Sequence, residues 1–133
     1  MRVPDPFKKC VCFLCIRQVQ NGQELYRYGG TAFFVAVQLG DLQFHYLVTA
    51  RHCVERASAQ GGLYARINRL DGRSDIITLA DHWRYHANDA SDIAIMPIVP
   101  DAAVFDHVSL NVDKFATPAL IAEHSIGTAM TCL

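Results

Sequence analysis

Residues 46–54, Tyr-Leu-Val-Thr-Ala-Arg-His-Cys-Val, decide the fold of this 133-residue chain. The aromatic and β-branched residues up to Thr49 predict a strand. The small residue Ala50 predicts that this strand ends there and that a short helical turn begins. His52 falls at this junction. A histidine on rigid secondary structure at a strand end suits a general base, because its ring nitrogens can be held against a nucleophile. The stretch therefore predicts a strand–helix junction with a candidate catalytic residue.

The sequence on either side of this junction predicts short strands separated by turns, which is typical of an all-β fold. Asn21-Gly22 and Asp71-Gly72 predict hairpin turns, because these residue types tolerate positive φ. One short helix is predicted over residues 51–59. The predicted strands are 7–19, 24–28, 30–38, 43–49, 63–69, 75–79 and 92–96, and residues 126–133 predict the opening of a further strand.

Composition and charge indicate a folded, soluble, single-domain protein. Hydrophobic residues make up 51% of the chain and charged residues 19%, and the net charge of −1 gives no reason to expect a nucleic-acid or anionic-membrane partner. No stretch approaches the roughly 18 apolar residues of a membrane span. The apolar run 10–16 is short, is followed at once by Arg17 and lacks a cleavage motif, so no clear signal peptide is predicted.

Five cysteines are present, at positions Cys10, Cys12, Cys15, Cys53 and Cys132. An odd count in a domain of this size does not indicate a disulfide framework, and free thiols favour a cytoplasmic location. The close spacing of Cys10, Cys12 and Cys15 would also be compatible with a metal-binding knuckle, which remains an alternative. Because they lie in an apolar run and no second Cys/His cluster has partner spacing, we favour a buried strand.

A second metal alternative comes from His82, His86 and Asp89, since a His-x3-His spacing on a helix can bind zinc. The residues around them predict a loop, so we expect no metal site and no cofactor. Cys53 is also disfavoured as a nucleophile, because adjacent residues in a helical turn point in different directions and its thiol should not face His52.

Three segments together resemble the trypsin-like serine proteases, in particular the bacterial trypsin-like peptidases. These are Gly-Gly-Thr-Ala-Phe-Phe-Val at 29–35, the segment 46–54, and Ser-Asp-Ile-Ala-Ile at 91–95. They follow the order and spacing in which that family places its histidine and aspartate on the first of two barrels. The resemblance spans about residues 24–99. It implies a single antiparallel six-stranded Greek-key β-barrel with one short helix after His52, and makes 1–133 an N-terminal barrel truncated at the start of the second.

The resemblance implies that His52 is a general base and that Asp92 accepts a hydrogen bond from its Nδ1–H. From the residues alone, Asp92 could equally be a strand-start residue bonded to a loop backbone. Two departures from the family are notable. Tyr28 stands where secreted members carry the cysteine that bonds the one after the histidine, so Cys53 is expected to stay a thiol. Arg51 replaces the alanine or asparagine that is common before the histidine.

The family's nucleophile lies in Gly-Asp-Ser-Gly-Gly or a close variant, which also builds the oxyanion hole. None of the serines has that setting, these being Ser58, Ser74, Ser91, Ser109 and Ser125. The implied activity is serine-type endopeptidase hydrolysis of a protein or peptide substrate through an acyl-enzyme. We expect the isolated chain to be inactive, to need a second barrel in cis or in trans, and to self-associate through an exposed apolar barrel face. The alternative is a non-catalytic pseudoprotease or binding module.

Overall fold

The computed structural model describes residues 5–79, 82–115, 117–119 and 122, and it consists mainly of antiparallel β-sheet. The helices include α1 (Asp5–Lys8) and α2 (Arg51–Ser58), and a 3₁₀ turn lies at Val112–Lys114. The strands are β1 (Val11–Gln20), β2 (Gln23–Leu39), β3 (Leu42–Thr49), β4 (Leu63–Asn68), β5 (Ser74–Thr78), β6 (Arg84–Tyr85), β7 (Ala94–Pro97) and β8 (Leu110–Asn111). No helix in this described part is long and apolar enough to cross a membrane.

The strands form one sheet in the order β5-β4-β1-β2-β3-β7-β6, with neighbours antiparallel. Strand β8 pairs in parallel with β2 at Val35 and Ala36. The predicted all-β class is confirmed. The pairings among the described residues run as an open path, with β5 and β6 at its ends.

The predicted break between strands 24–28 and 30–38 is wrong, because β2 continues through both. Its pairing with β1 shifts register between Leu14 and Cys15, so that Leu14 faces Gly30 and Cys15 faces Tyr28. Gly29 is the extra residue of this β-bulge, which bends the long strand without ending its pairing. The two adjacent glycines mark a bulge rather than a turn.

Several predicted boundaries shift. The predicted strand 7–19 begins only at Val11, because Cys10 N–H donates to the Phe7 carbonyl at 3.2 Å and closes a turn after α1. The predicted strand 92–96 begins at Ala94, which leaves Asp92 just outside it. The Asn21-Gly22 turn is confirmed, with φ of +53° and +77°. The predicted strand 126–133 lies outside the described residues.

The core is formed by side chains of strands β1–β4 and β7 together with helix α2. Its most fully buried large side chains include Phe34, Leu14, Leu47 and Val54. Burial of an apolar side chain of this size contributes about 1.5–3 kcal/mol. Val54 and Ala57, one turn apart, are the buried residues of α2 and dock it on the sheet. This packing fixes the helix that carries His52.

The cluster Cys10, Cys12 and Cys15 belongs to the same core, as the buried-strand interpretation predicted. Desolvation by burial, followed by the neighbouring Cys15, raises the pKa of Cys12 to about 12. A thiol held neutral in this way is a poor metal ligand, since metals bind the thiolate.

Candidate active site

The junction between β3 and α2 fixes the position of His52. Thr49 ends β3, is buried, and donates its hydroxyl hydrogen to the Thr31 carbonyl at 2.7 Å. Ala50 is extended, with φ −73° and ψ 136°, and helix α2 begins directly after it. Because His52 lies in the first turn of α2, its backbone N–H has no acceptor within the helix.

Asp92 supplies that acceptor and also contacts the imidazole ring. Its Oδ1 accepts the His52 backbone N–H at 2.9 Å, and its Oδ2 lies 2.5 Å from Nδ1 of the same residue. An ionised carboxylate can only accept, so Nδ1 carries a ring proton, and in the neutral imidazole Nε2 then keeps its lone pair. The structure therefore brings together the two residues that the sequence singled out, in the hydrogen bond expected between them.

The register of the sheet explains why Asp92 reaches His52. Thr49, the last residue of β3, faces Ala94, the first residue of β7. The residues that follow Thr49 and those that precede Ala94 therefore meet at the same end of the two strands. A tight loop leads into β7, in which Ser91 N–H donates to the Asn88 carbonyl at 3.0 Å. The carboxylate is thus placed by strand pairing on one side and by a hydrogen-bonded loop on the other.

Hydrogen bonding keeps Asp92 ionised. Its pKa lies below the ordinary value because it accepts hydrogen bonds, first from the His52 backbone N–H and then from the ring. The side chains are 58% (His52) and 52% (Asp92) exposed. Solvent screens the charges at such exposure, so the pair depends on hydrogen-bond geometry more than on Coulomb attraction. The same exposure leaves the ring open to a reacting group.

Arg51 connects α2 to the segment that carries Asp92. Its Nε donates to Glu55 at 2.6 Å and its Nη1 to Asp89 at 3.2 Å. Its guanidinium carbon lies 4.6 Å from the centre of the Tyr85 ring, within cation–π distance. From the sequence, Arg51 is notable only as a departure from the family. The Arg-x3-Glu spacing on a predicted helix could have signalled the first of these contacts.

Cys53 packs on the backbone of Gly30. A Cβ built on Gly30 would lie 3.0 Å from the Cys53 Sγ, and Gly30 has φ of +151°, which side-chain-bearing residues rarely adopt. Cys53 is a free thiol. Its sulfur thus fills the space that a side chain at position 30 would need.

An open apolar face lies beside Asp92. Tyr28 is 62% and Ile93 48% exposed, and Phe13, itself 51% exposed, meets the Tyr28 ring edge-on at 6.0 Å between centroids. The groove in this face is lined by Tyr28, Gly30, Thr31, Phe33, Val48, Thr49, Ala50, Cys53, Asp92 and Ile93. We call Phe13, Tyr28, Phe33 and Ile93 the apolar face. It adjoins the dyad without covering the ring.

The alternative metal group does not assemble. His86 Nδ1 accepts the Asn88 N–H at 2.9 Å, and Asp89 binds Arg51. Arg84–Tyr85 pairs with β7 as a short strand, so the helix that the His-x3-His spacing requires is not formed. Within residues 5–79 and 82–115 and the few described beyond, no group of three or more His, Cys, Asp or Glu could hold a metal ion.

No described serine is hydrogen-bonded to His52, and two of them have other side-chain partners. Ser74 accepts the Arg66 Nε–H at 3.0 Å, and Ser109 Oγ lies 3.1 Å from His45 Nδ1. The His45–Ser109 contact was missed from the sequence. In the described residues no carboxylate is hydrogen-bonded to His45, so this pair lacks the orienting group of a triad. Ser58 ends α2, Ser91 precedes Asp92, and Ser125 lies outside the described residues.

Comparison of the chain with protein-family models, with curated proteins and with solved structures gives no match. A functional assignment therefore depends on the geometry of His52 and Asp92 and on the residues around them.

Proposed function

We propose that this chain carries the general-base half of a trypsin-like serine endopeptidase. The observation that supports this most directly is the two-point contact of Asp92 with His52. With the ring proton held on Nδ1, Nε2 accepts the proton of an attacking serine hydroxyl and returns it to the leaving amine. Asp92 stays ionised and stabilises the imidazolium between these two steps.

The strand order supports the barrel that this family uses. The six longer strands follow the order β5-β4-β1-β2-β3-β7. Strand β6 pairs with Ala94 and Ile95 of β7, and pairing of β5 with the rest of that edge would close the six strands into an antiparallel Greek-key barrel. We propose that the domain is this N-terminal barrel, with the dyad at one rim.

The proposal places the nucleophile and the oxyanion hole outside the described residues. No described serine is hydrogen-bonded to His52, and no serine of the sequence has the Gly-Asp-Ser-Gly-Gly setting. On this proposal, peptide hydrolysis through an acyl-enzyme therefore needs a second barrel, in cis or in trans. The apolar face supports this arrangement, because it adjoins Asp92 and includes exposed aromatic side chains of the kind that interfaces cover. On this basis the 133-residue chain alone does not hydrolyse peptides.

The apolar face also favours a second candidate function, a non-catalytic binding module. In that case the face binds a protein partner, and the dyad serves only to fix the start of β7 against α2. The two functions differ in one property, because only the peptidase places a reactive serine against Nε2 of His52.

A fluorophosphonate probe, which labels activated serines, distinguishes them. In this test, cells that express the native gene are treated with the probe. Mass mapping of the gene product then locates any modified serine. The peptidase proposal predicts labelling that is lost in His52→Ala and kept in the control His82→Ala, an exposed histidine away from the dyad. Labelling that survives His52→Ala would contradict the proposal, and no labelling in any form would favour the binding module.

A further inference from the structure

We propose that Arg51 is a positioning residue for the His52–Asp92 pair. The side chain of Arg51 contacts Glu55, Asp89 and Tyr85 and does not touch the proposed reacting atoms. It holds helix α2, which carries His52, against the segment 85–92, which carries Asp92. The two elements meet at the dyad, so a shift between them changes the hydrogen bonds that define it.

The contacts of Arg51 are suited to this task. Its bond to Glu55, one turn along the same helix, fixes the direction of the guanidinium. The guanidinium then reaches Asp89, three residues before Asp92, and covers the Tyr85 ring. Tyr85 is paired with Ala94 of β7, so Arg51 contacts the segment 85–92 at its first residue and again at Asp89. Only arginine offers a planar fork together with a face for stacking, which lysine lacks.

The ring tautomer should depend on these contacts. Nδ1 keeps its proton only while Asp92 Oδ2 stays within hydrogen-bond distance, 2.5 Å here. An imidazole released from this contact exchanges between the two neutral tautomers, and Nε2 then loses its lone pair part of the time. The expected size of the effect follows from the free energies of exposed ion pairs and of one cation–π contact. Loss of Arg51 should lower the ratio of the Nδ1–H to the Nε2–H tautomer about threefold or more.

Long-range ¹H–¹⁵N spectra of the folded chain report this ratio directly, at a pH where the imidazole is neutral. We expect Arg51→Met to shift the His52 ring ¹⁵N signals towards the tautomer average, and Arg51→Lys to shift them part of the way. Asp89→Asn, at a side chain that is 92% exposed, should act in the same direction without disturbing the core. The control is Arg56→Met, which removes the same charge from an exposed position on the same helix.

Unchanged ring signals in both Arg51→Met and Asp89→Asn would overturn the proposal, as would an equal shift in Arg56→Met. If Arg51→Met fails to fold, Arg51→Lys and Asp89→Asn decide the outcome. The catalytic consequence rests on the proposed peptidase function, whereas the positioning claim does not. The spectrum observes the His52–Asp92 pair without any hydrolysis, so failure of this inference and failure of the peptidase proposal are separate results.

Discussion

Asp92 holds His52 at two points, the backbone N–H at 2.9 Å and the ring Nδ1 at 2.5 Å. The first contact satisfies an amide left free at the start of helix α2, so the main chain fixes the carboxylate independently of the ring. The ring therefore rotates onto an acceptor that is already in place. This is the preorganisation that a general base requires.

The first prediction concerns acid stability. The pKa of Asp92 in the folded chain lies below its ordinary value of 3.8, chiefly because of the His52 backbone N–H. A carboxyl of this kind contributes stability above its unfolded pKa and loses it as pH falls through the folded value. We therefore expect Asp92→Asn to flatten the fall in unfolding free energy below about pH 4.

Urea unfolding from neutral pH into the acid range measures this effect. The control is Asp41→Asn, in the β2–β3 turn, whose carboxyl makes no hydrogen bond or ion pair to the described residues. If the unfolding free energy of Asp92→Asn fell with decreasing pH as steeply as that of the unsubstituted chain, the dyad would contribute nothing to acid stability.

The second prediction concerns Gly30. We expect Gly30→Ala to cost about 1–3 kcal/mol, because it adds a contact with Cys53 Sγ to an unfavourable backbone conformation. Gly62→Ala is the closer control, since Gly62 also has a large positive φ (+116°) but open space around a built Cβ. Chemical denaturation should show the larger loss at Gly30, partly restored by Cys53→Ala. Equal losses of unfolding free energy in the two glycine variants would show that contact with Cys53 does not add to the cost of Gly30→Ala.

The third prediction concerns thiol reactivity. Cys12 is 2% exposed and burial raises its pKa to about 12, so in the folded chain it should resist a thiolate-selective reagent. Cys53 is more accessible and should be modified first. Mass mapping before and after urea unfolding tests this order. Native labelling of Cys12 as fast as that of Cys53 would contradict the buried-strand assignment.

The fourth prediction concerns the apolar face. If a second barrel or a partner normally covers it, the isolated chain should self-associate as its concentration rises. Tyr28→Ser should reduce this association, whereas Leu39→Ser should not, although both side chains are 62% exposed. Size-exclusion chromatography with light scattering gives the apparent mass. A monodisperse monomer at every concentration, or equal effects of the two substitutions, would refute the prediction.

The strand–helix junction and the position of His52 could be predicted from sequence because their signals are local. A β-branched run ending at Ala50 and a histidine two residues later are visible within nine residues. Asn21-Gly22 likewise carries its own turn conformation, with positive φ at both residues. The contact with Asp92 spans 40 residues and was predicted only through the family resemblance.

Features that depend on pairing between distant residues could not be predicted. The continuity of β2 through Gly29 and Gly30 depends on β1, which lies alongside and absorbs the extra residue in a bulge. Likewise, the contact of Arg51 with Asp89 joins residues 38 positions apart, and no local sequence pattern predicts it.

The most direct test of the account is the reactivity of His52 towards diethyl pyrocarbonate, which acylates an imidazole nitrogen that carries a lone pair. Mass mapping of the folded chain measures the rate at His52, with exposed His82 as the internal reference. We predict that Asp92→Asn slows modification of His52 relative to His82, because an amide can donate to Nδ1, move the ring proton to Nε2 and so remove its lone pair. An unchanged rate ratio in Asp92→Asn would show that Asp92 does not set the ring tautomer, and would contradict the assignment of His52 as a prepared general base.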